Sequence, residues 1–238
     1  MGAVVVDAGG ATWWIAPGGR LIGAVSVPAA LCALAATSSD VVGLDDEGRL
    51  WHLAGHLAGA PAPLAALEPA ADVALDRRAG VAYLATPRGL VARGVGSDAR
   101  RELLALDAAA LVLAPDRRRL YVADPTGRRV IGLHVAGGDA SIEVEVALPG
   151  DVALGDGPLA LGLTSAGLVV ACGRAVLGVN LRHATCTVVH GPAAALALVA
   201  ARGIAASRDR RTLWVADGDR LIAVASDGTG ARVALDLA

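Results

Sequence analysis

Four aspartates recur at comparable places in the chain, each closing a short apolar run: VVVD at Asp7, VGLD at Asp45, YVAD at Asp124 and WVAD at Asp217. Carboxylates converging on one point are hard oxygen ligands and suit a divalent cation such as calcium. An aspartate at a strand end has a second use, because its short side chain accepts hydrogen bonds from backbone N–H groups of the turn that follows. Two readings are therefore open: one metal set made of Asp7, Asp45, Asp124 and Asp217, or four separate turn caps.

A second group is basic. The turns Asp76–Arg78, Asp116–Arg119 and Arg208–Arg211 hold eight of the 21 arginines, and the chain has no lysine. Guanidinium forks recognise phosphate and carboxylate, so Arg77, Arg78, Arg117, Arg118, Arg119, Arg210 and Arg211 form a candidate surface for an acidic partner, a polyanion or RNA. Stacking platforms for single-stranded nucleic acid are scarce, with four Trp and two Tyr, and nucleic acid is not the expected partner. Solvated turns holding local Asp–Arg pairs are the alternative. His183, Cys186 and His190 have a spacing that resembles a metal site, and on a strand Cys186 and His190 share a face, but no fourth ligand accompanies them. They read as ordinary strand residues, as do His52 and His56. There is no phosphate-binding Gly-rich loop, no G-x-S-x-G elbow and no H-E-x-x-H, so no catalytic residue is assigned.

The elements that position these residues come from an internal repeat. VALDRRAGVAYLATPRGLVARGV from Val73, LVLAPDRRRLYVADPTGRRVIGLHV from Leu111 and IAASRDRRTLWVADGDRLIAVA from Ile204 each read as strand, Asp-Arg-Arg turn, Val-rich strand, turn, strand. A fourth strand follows each: RELLAL from Arg101, SIEVEVAL from Ser141 and ARVALDL from Ala231. Taking the last residue of the second strand as a marker gives Asp7, Asp45, Thr86, Asp124, Cys172 and Asp217, spaced 38, 41, 38, 48 and 45 residues apart. That period suits four short strands per unit and predicts an all-β, six-bladed propeller.

LYVAD followed by a turn, Arg-Arg or Asp-Arg, and an apolar strand resembles the NHL and YVTN-type propeller repeat, over nearly the whole chain. The expected organisation is one domain over 1–238, with blades at 1–28, 29–67, 68–107, 108–148, 149–190 and 203–238. The first blade lacks its N-terminal strand, and 191–202 is an insertion or closing segment. GPAAALALVAA, from Gly191, also reads as a helix, with Pro192 near its start and Gly203 past its end. In propellers of this kind the turns between second and third strands lie on the face that carries the ligand site, which would gather the four aspartates there. Gluconolactonase-like propellers hold a metal at the channel through a Glu, Asn and Asp set; this chain has one asparagine, Asn180, and no matching set.

Composition narrows the function classes. Hydrophobic residues make up 55% of the 238, with no Phe, and the formal net charge of −2 gives no global pull toward nucleic acid or anionic membrane. The longest uncharged stretch, Leu21–Ser39, is broken by Ser26 and Pro28 and makes no membrane span. MGAVVVDAGG has no basic n-region or long apolar h-region, and three cysteines make no disulfide framework, so a cytoplasmic protein is expected. The expected function is a non-catalytic scaffold that holds another protein within a larger bacterial assembly. The alternatives are a metal-dependent hydrolase or lyase acting at the channel through Asp45, Asp124 and Asp217, and polyanion or RNA binding by the arginine-rich face.

Overall fold

The computed structural model describes residues 3–6, 11–15, 21–26, 29–36, 41–53, 61–136, 138–150, 159–164, 167–191, 194, 196–207 and 211–236. Every element in them is a strand. β1 (Ala3–Val6), β2 (Ala11–Ile15) and β3 (Leu21–Ser26) form a three-stranded sheet. A four-stranded sheet follows from β4 (Leu31–Ala36), β5 (Val41–Asp45), β6 (Arg49–Leu53) and β7 (Ala62–Ala66). The next comprises β8 (Asp72–Asp76), β9 (Val81–Thr86), β10 (Gly89–Gly94) and β11 (Arg100–Leu104). The third contains β12 (Ala110–Leu113), β13 (Arg119–Asp124), β14 (Arg129–Ala136) and β15 (Asp139–Ala147). The fourth is built of β16 (Ala160–Leu163), β17 (Leu168–Cys172), β18 (Ala175–Asn180) and β19 (Thr185–His190), and the last of β20 (Ala201–Ala206), β21 (Thr212–Asp217), β22 (Arg220–Ala225) and β23 (Ala231–Asp236). All pairings are antiparallel between strands consecutive in sequence, the meander expected of a propeller blade.

The six-bladed expectation needs correcting: among the described residues the four-stranded blades number five, beside the three-stranded sheet β1–β3. The segment 191–202 does not supply a closing strand: none of its described residues before Ala201 is in a strand, and Ala201 begins β20 of the last blade. None of the described residues of 191–200 is helical. Leu198 instead packs fully buried into the core between the last two blades.

Strand alternation builds that core. Successive side chains point to opposite faces of a sheet, and each blade divides its apolar residues between two neighbours. On β13, Leu120 and Val122 join Tyr83, Leu90 and Leu111 in the core shared with the preceding blade. Tyr121 and Ala123 on the same strand join Leu161, Val170 and Leu177 in the core shared with the following blade. The first strands β4, β8, β12, β16 and β20 succeed one another as nearest neighbours. Their crowding is eased by small residues at one register: Ala33, Ala110, Ala160 and Gly203 sit opposite Leu44, Ala123, Ala171 and Ala216. In β8 the matching residue is Asp72, opposite Ala85.

Candidate functional site: the aspartate–arginine turn face

Asp45, Asp124 and Asp217 each end the second strand of a blade, and all three are buried. Asp45 Oδ1 accepts the backbone N–H groups of Glu47 at 3.1 Å and Arg49 at 2.7 Å. Its Oδ2 accepts Arg49 Nε at 2.7 Å and Trp51 Nε1 at 2.8 Å. Burial pushes the Asp45 pKa up, but the hydrogen bonds from Trp51 and Arg49 outweigh it and hold the carboxyl below its ordinary value. The Arg49 guanidinium also lies 5.8 Å from the Trp51 ring centroid and 3.0 Å from Glu47. One turn thus ties together two acids, a cation and an aromatic ring.

Asp124 repeats the arrangement with fewer partners: Oδ1 accepts Gly127 N–H at 2.8 Å and Oδ2 accepts Arg129 Nε at 2.9 Å. Arg129 continues to Glu145 on the outer strand at 2.8 Å. A Cβ on Gly127 would lie 2.3 Å from Asp124 Oδ2, so only glycine lets this turn close over the carboxylate. Asp217 reaches across to the preceding connection, where its Oδ1 accepts Val199 N–H at 2.8 Å and Ala200 N–H at 2.6 Å, while Arg220 bonds to Oδ2 at 2.5 Å.

The other two blades lack an acid at this position. The Thr86 hydroxyl donates to the Gly89 carbonyl at 2.8 Å. Cys172 is a buried thiol whose pKa burial pushes up to about 11, with Arg128 opposing the rise, so it is no ready nucleophile.

The structure therefore gives each described aspartate of the proposed metal set its own backbone donors and its own arginine. It does not bring Asp45, Asp124 and Asp217 together: among the described residues no three His, Cys, Asp or Glu side chains are placed to hold a metal ion. Asp7 lies outside the described residues. His183, Cys186 and His190 each have a separate partner. The His183 and Arg182 N–H groups bond to Asn180 Oδ1, Cys186 Sγ lies 3.5 Å from the Ala147 carbonyl oxygen, and His190 Nε2 is 2.7 Å from the Leu196 carbonyl oxygen.

The Asp-Arg-Arg turns at Asp76–Arg78 and Asp116–Arg119 join first to second strands, so antiparallel pairing puts them at the strand ends opposite the aspartate turns. Their aspartates cap the turns: Asp76 Oδ1 accepts Arg78 and Ala79 N–H, and Asp116 Oδ1 accepts Arg118 N–H. Arg77, Arg78, Arg117, Arg118, Arg119 and Arg211 are exposed, and Arg117 sits at φ 57°. Arg119 is shared between Glu143 at 3.4 Å and Asp116 at 3.8 Å. Arg210 lies outside the described residues.

Two features escaped the sequence reading. The arginine that neutralises each aspartate stands three to five residues after it, at the start of the third strand, in Asp45–Arg49, Asp124–Arg129 and Asp217–Arg220. That signal is visible in the repeat once charge is compared as well as hydropathy. The other is Asp72, which departs from an otherwise small-residue register and so carried no repeat signal. Its Oδ1 accepts Val73 N–H at 2.8 Å and its Oδ2 accepts Leu111 N–H of the next blade at 2.7 Å. Burial raises its pKa to about 7 despite those two donors. Two surface clefts, of about 320 Å³ beside Gly94–Asp98 and about 220 Å³ beside His190 and Gly228–Ala231, include none of the buried turn aspartates.

No family model matches the chain, and no curated protein sequence matches it. Solved structures do. A chain in the crystal structure of a nidogen/laminin complex is similar at 16% identity and TM-score 0.72, with 96% of this chain and 90% of that one covered. A protein of unknown function from Bacteroides thetaiotaomicron is similar at 12% identity and TM-score 0.67, over 90% of this chain and 63% of the other. A functionally unknown protein from Desulfotomaculum acetoxidans is similar at 14% identity and TM-score 0.63, over 99% and 94%. The resemblance to NHL repeats finds no family match, and what these likenesses show is the fold: the chain is an all-β propeller of four-stranded blades.

Proposed function

We propose that this propeller is a non-catalytic interaction module, a rigid disc that holds another protein within a larger bacterial assembly. The observation that carries the reading is the state of the turn aspartates. Each described one is spent on backbone N–H groups and its own arginine, so the face that would bear a catalytic or metal centre presents ion pairs set on rigid backbone. Exposed charges of both signs ring these turns, among them Asp46, Glu47, Arg88 and Arg174. Such a surface steers and orients a charged partner without chemistry of its own. The nidogen/laminin neighbour, solved as a complex, supports the reading by likeness of fold.

Among the described residues no helix is long and apolar enough to cross a membrane. The test is affinity capture of the tagged chain from its native host, followed by reconstitution with the purified partner. Reversing Arg88 and Arg174 to Glu is expected to weaken that complex and flatten or invert its salt dependence. Recovery of no partner, together with turnover of a small molecule that is lost in Asp124→Asn, would replace this reading with the hydrolase or lyase alternative.

A further inference from the structure

One third-strand position can be followed through every four-stranded blade. It is Leu53 opposite Val41, Leu133 opposite Leu120, Val179 opposite Leu168 and Val224 opposite Leu213, and all four are buried apolar residues. In β10 the same position is Arg93, opposite Ala82. Val91, two residues earlier, packs into the core shared with β4–β7, and strand alternation points Arg93 toward that same blade.

A cation at this register needs a counter-charge, and the blade supplies none. Its outer neighbour is Arg100, a like charge directly opposite, which is itself held by Glu68 and Glu102, each at 2.9 Å. Arg93 Nε is buried without a hydrogen-bond partner, and no described acid forms an ion pair with the guanidinium. A buried donor left unpaired costs stability, and an unpaired cation calls for an acceptor from outside the chain. The access is beside it: Gly94, Gly96, Ser97 and Asp98 wall the cleft of about 320 Å³ against Ala65 and Ala66 of the preceding blade. A Cβ on Gly94 would strike Ser97 Oγ, so that hydroxyl lies against the backbone next to Arg93 and offers a second donor. Val95 N–H bonds to the Gly80 carbonyl at 2.8 Å, which ties this wall to the turn bearing the exposed Arg77 and Arg78.

We infer that the cleft beside Arg93 binds a carboxylate, and that its occupant is a Glu or Asp side chain of the partner protein. The occupant rests on the interaction-module reading and adds a second contact away from the aspartate turns. A guanidinium fork matches the two oxygens of a carboxylate. One uncompensated cation answers one negative charge, whereas the Asp98 carboxylate in the cleft wall opposes the larger charge of a phosphate.

NMR titration of the isotope-labelled chain at low salt tests the inference. The probe is triglutamate blocked at both ends; blocked triglutamine, inorganic phosphate and trialanine with a free C-terminus are the comparisons. Triglutamate is expected to give saturable shifts of the Gly94, Gly96, Ser97 and Asp98 amide signals, and triglutamine none. Arg93→Leu installs the residue that Leu53 and Leu133 supply in other blades, and is expected to fold and to weaken triglutamate binding at least about tenfold. Arg93→Lys recovers part of that loss, and Asp98→Asn tightens binding. No saturable shift with the wild-type chain overturns the inference, as does binding that Arg93→Leu leaves intact. If Arg93→Leu fails to fold, Arg93→Lys and Asp98→Asn carry the test, and binding unchanged in both overturns it. Tighter binding of phosphate or of trialanine overturns the side-chain assignment. A captured partner that binds Arg93→Leu as tightly as wild type overturns this site and leaves the interaction-module reading standing. Triglutamate binding at the cleft with no partner recovered keeps the carboxylate site and overturns that reading.

Discussion

Asp72→Asn tests the electrostatics of the inner strands. Asp72 joins β8 to β12 by accepting Leu111 N–H at 2.7 Å, and its pKa is raised to about 7 by burial. The folded state therefore holds the proton more tightly than the unfolded chain, whose aspartates titrate near about 3.9. The contribution of this group is fully present below about pH 4 and is lost as pH rises to about 7. Three pKa units correspond to a ceiling of about 4 kcal/mol. Asp72 is half-buried, and solvent screening of its charge brings the expected value to about 1–2 kcal/mol. The asparagine keeps one carbonyl acceptor and turns its amide toward the other N–H, a loss of about 1 kcal/mol that does not depend on pH. Urea unfolding of both proteins at pH 4, 6 and 8 separates the two effects. The stability of Asp72→Asn relative to wild type should rise by about 1–2 kcal/mol from pH 4 to pH 8. A difference that stays flat across that range, or falls, would refute the assignment of a destabilised carboxylate at this seam.

Asp45→Ala strands the Trp51 indole N–H and the Arg49 guanidinium, and is expected to cost about 3 kcal/mol in urea unfolding, against less than about 0.5 kcal/mol for the exposed Asp46→Ala. Because the Asp45 pKa is depressed, its stabilisation is present above about pH 4 and disappears as pH falls through the lower folded value, so Asp45→Ala should flatten acid unfolding. Leu84→Ala, at a fully buried site between the first two four-stranded blades, is expected to cost about 3 kcal/mol by calorimetry and urea unfolding. Gly89→Ala would place a Cβ 2.2 Å from the Leu104 carbonyl oxygen at φ 143° and should unfold the chain or cost well over about 2 kcal/mol, whereas Gly80→Ala, at φ 64° in open space, should cost about 1 kcal/mol in thermal unfolding.

The second-strand aspartates show how far local reading reaches. That Asp45 and Asp124 cap their own turns is legible because the donors, Glu47, Arg49 and Gly127, lie two to four residues away. Asp217 has the same motif, yet its Oδ1 goes to Val199 and Ala200, 18 and 17 residues earlier, which no pattern in WVAD announces. The helical composition of GPAAALALVAA misleads for the same reason. Two of its N–H groups are claimed by Asp217 and its Leu198 by the core between blades, and these tertiary partners outweigh helix propensity.

Blade count divides along the same line. Six markers at a steady period are in the sequence, and so are the alternating Leu120, Tyr121, Val122 and Ala123 that supply two cores from one strand. Whether a repeat becomes a complete four-stranded blade depends on where a distant strand pairs, and Ala201–Ala206 pairs with its own successor. The sequence by itself determined the all-β class, the repeat and the caps within single turns, because strand alternation and turn chemistry act over two to five residues. Only the tertiary structure decided the number of full blades and the Asp72–Leu111 link. Both depend on which groups, tens of residues apart, meet once the blades have packed.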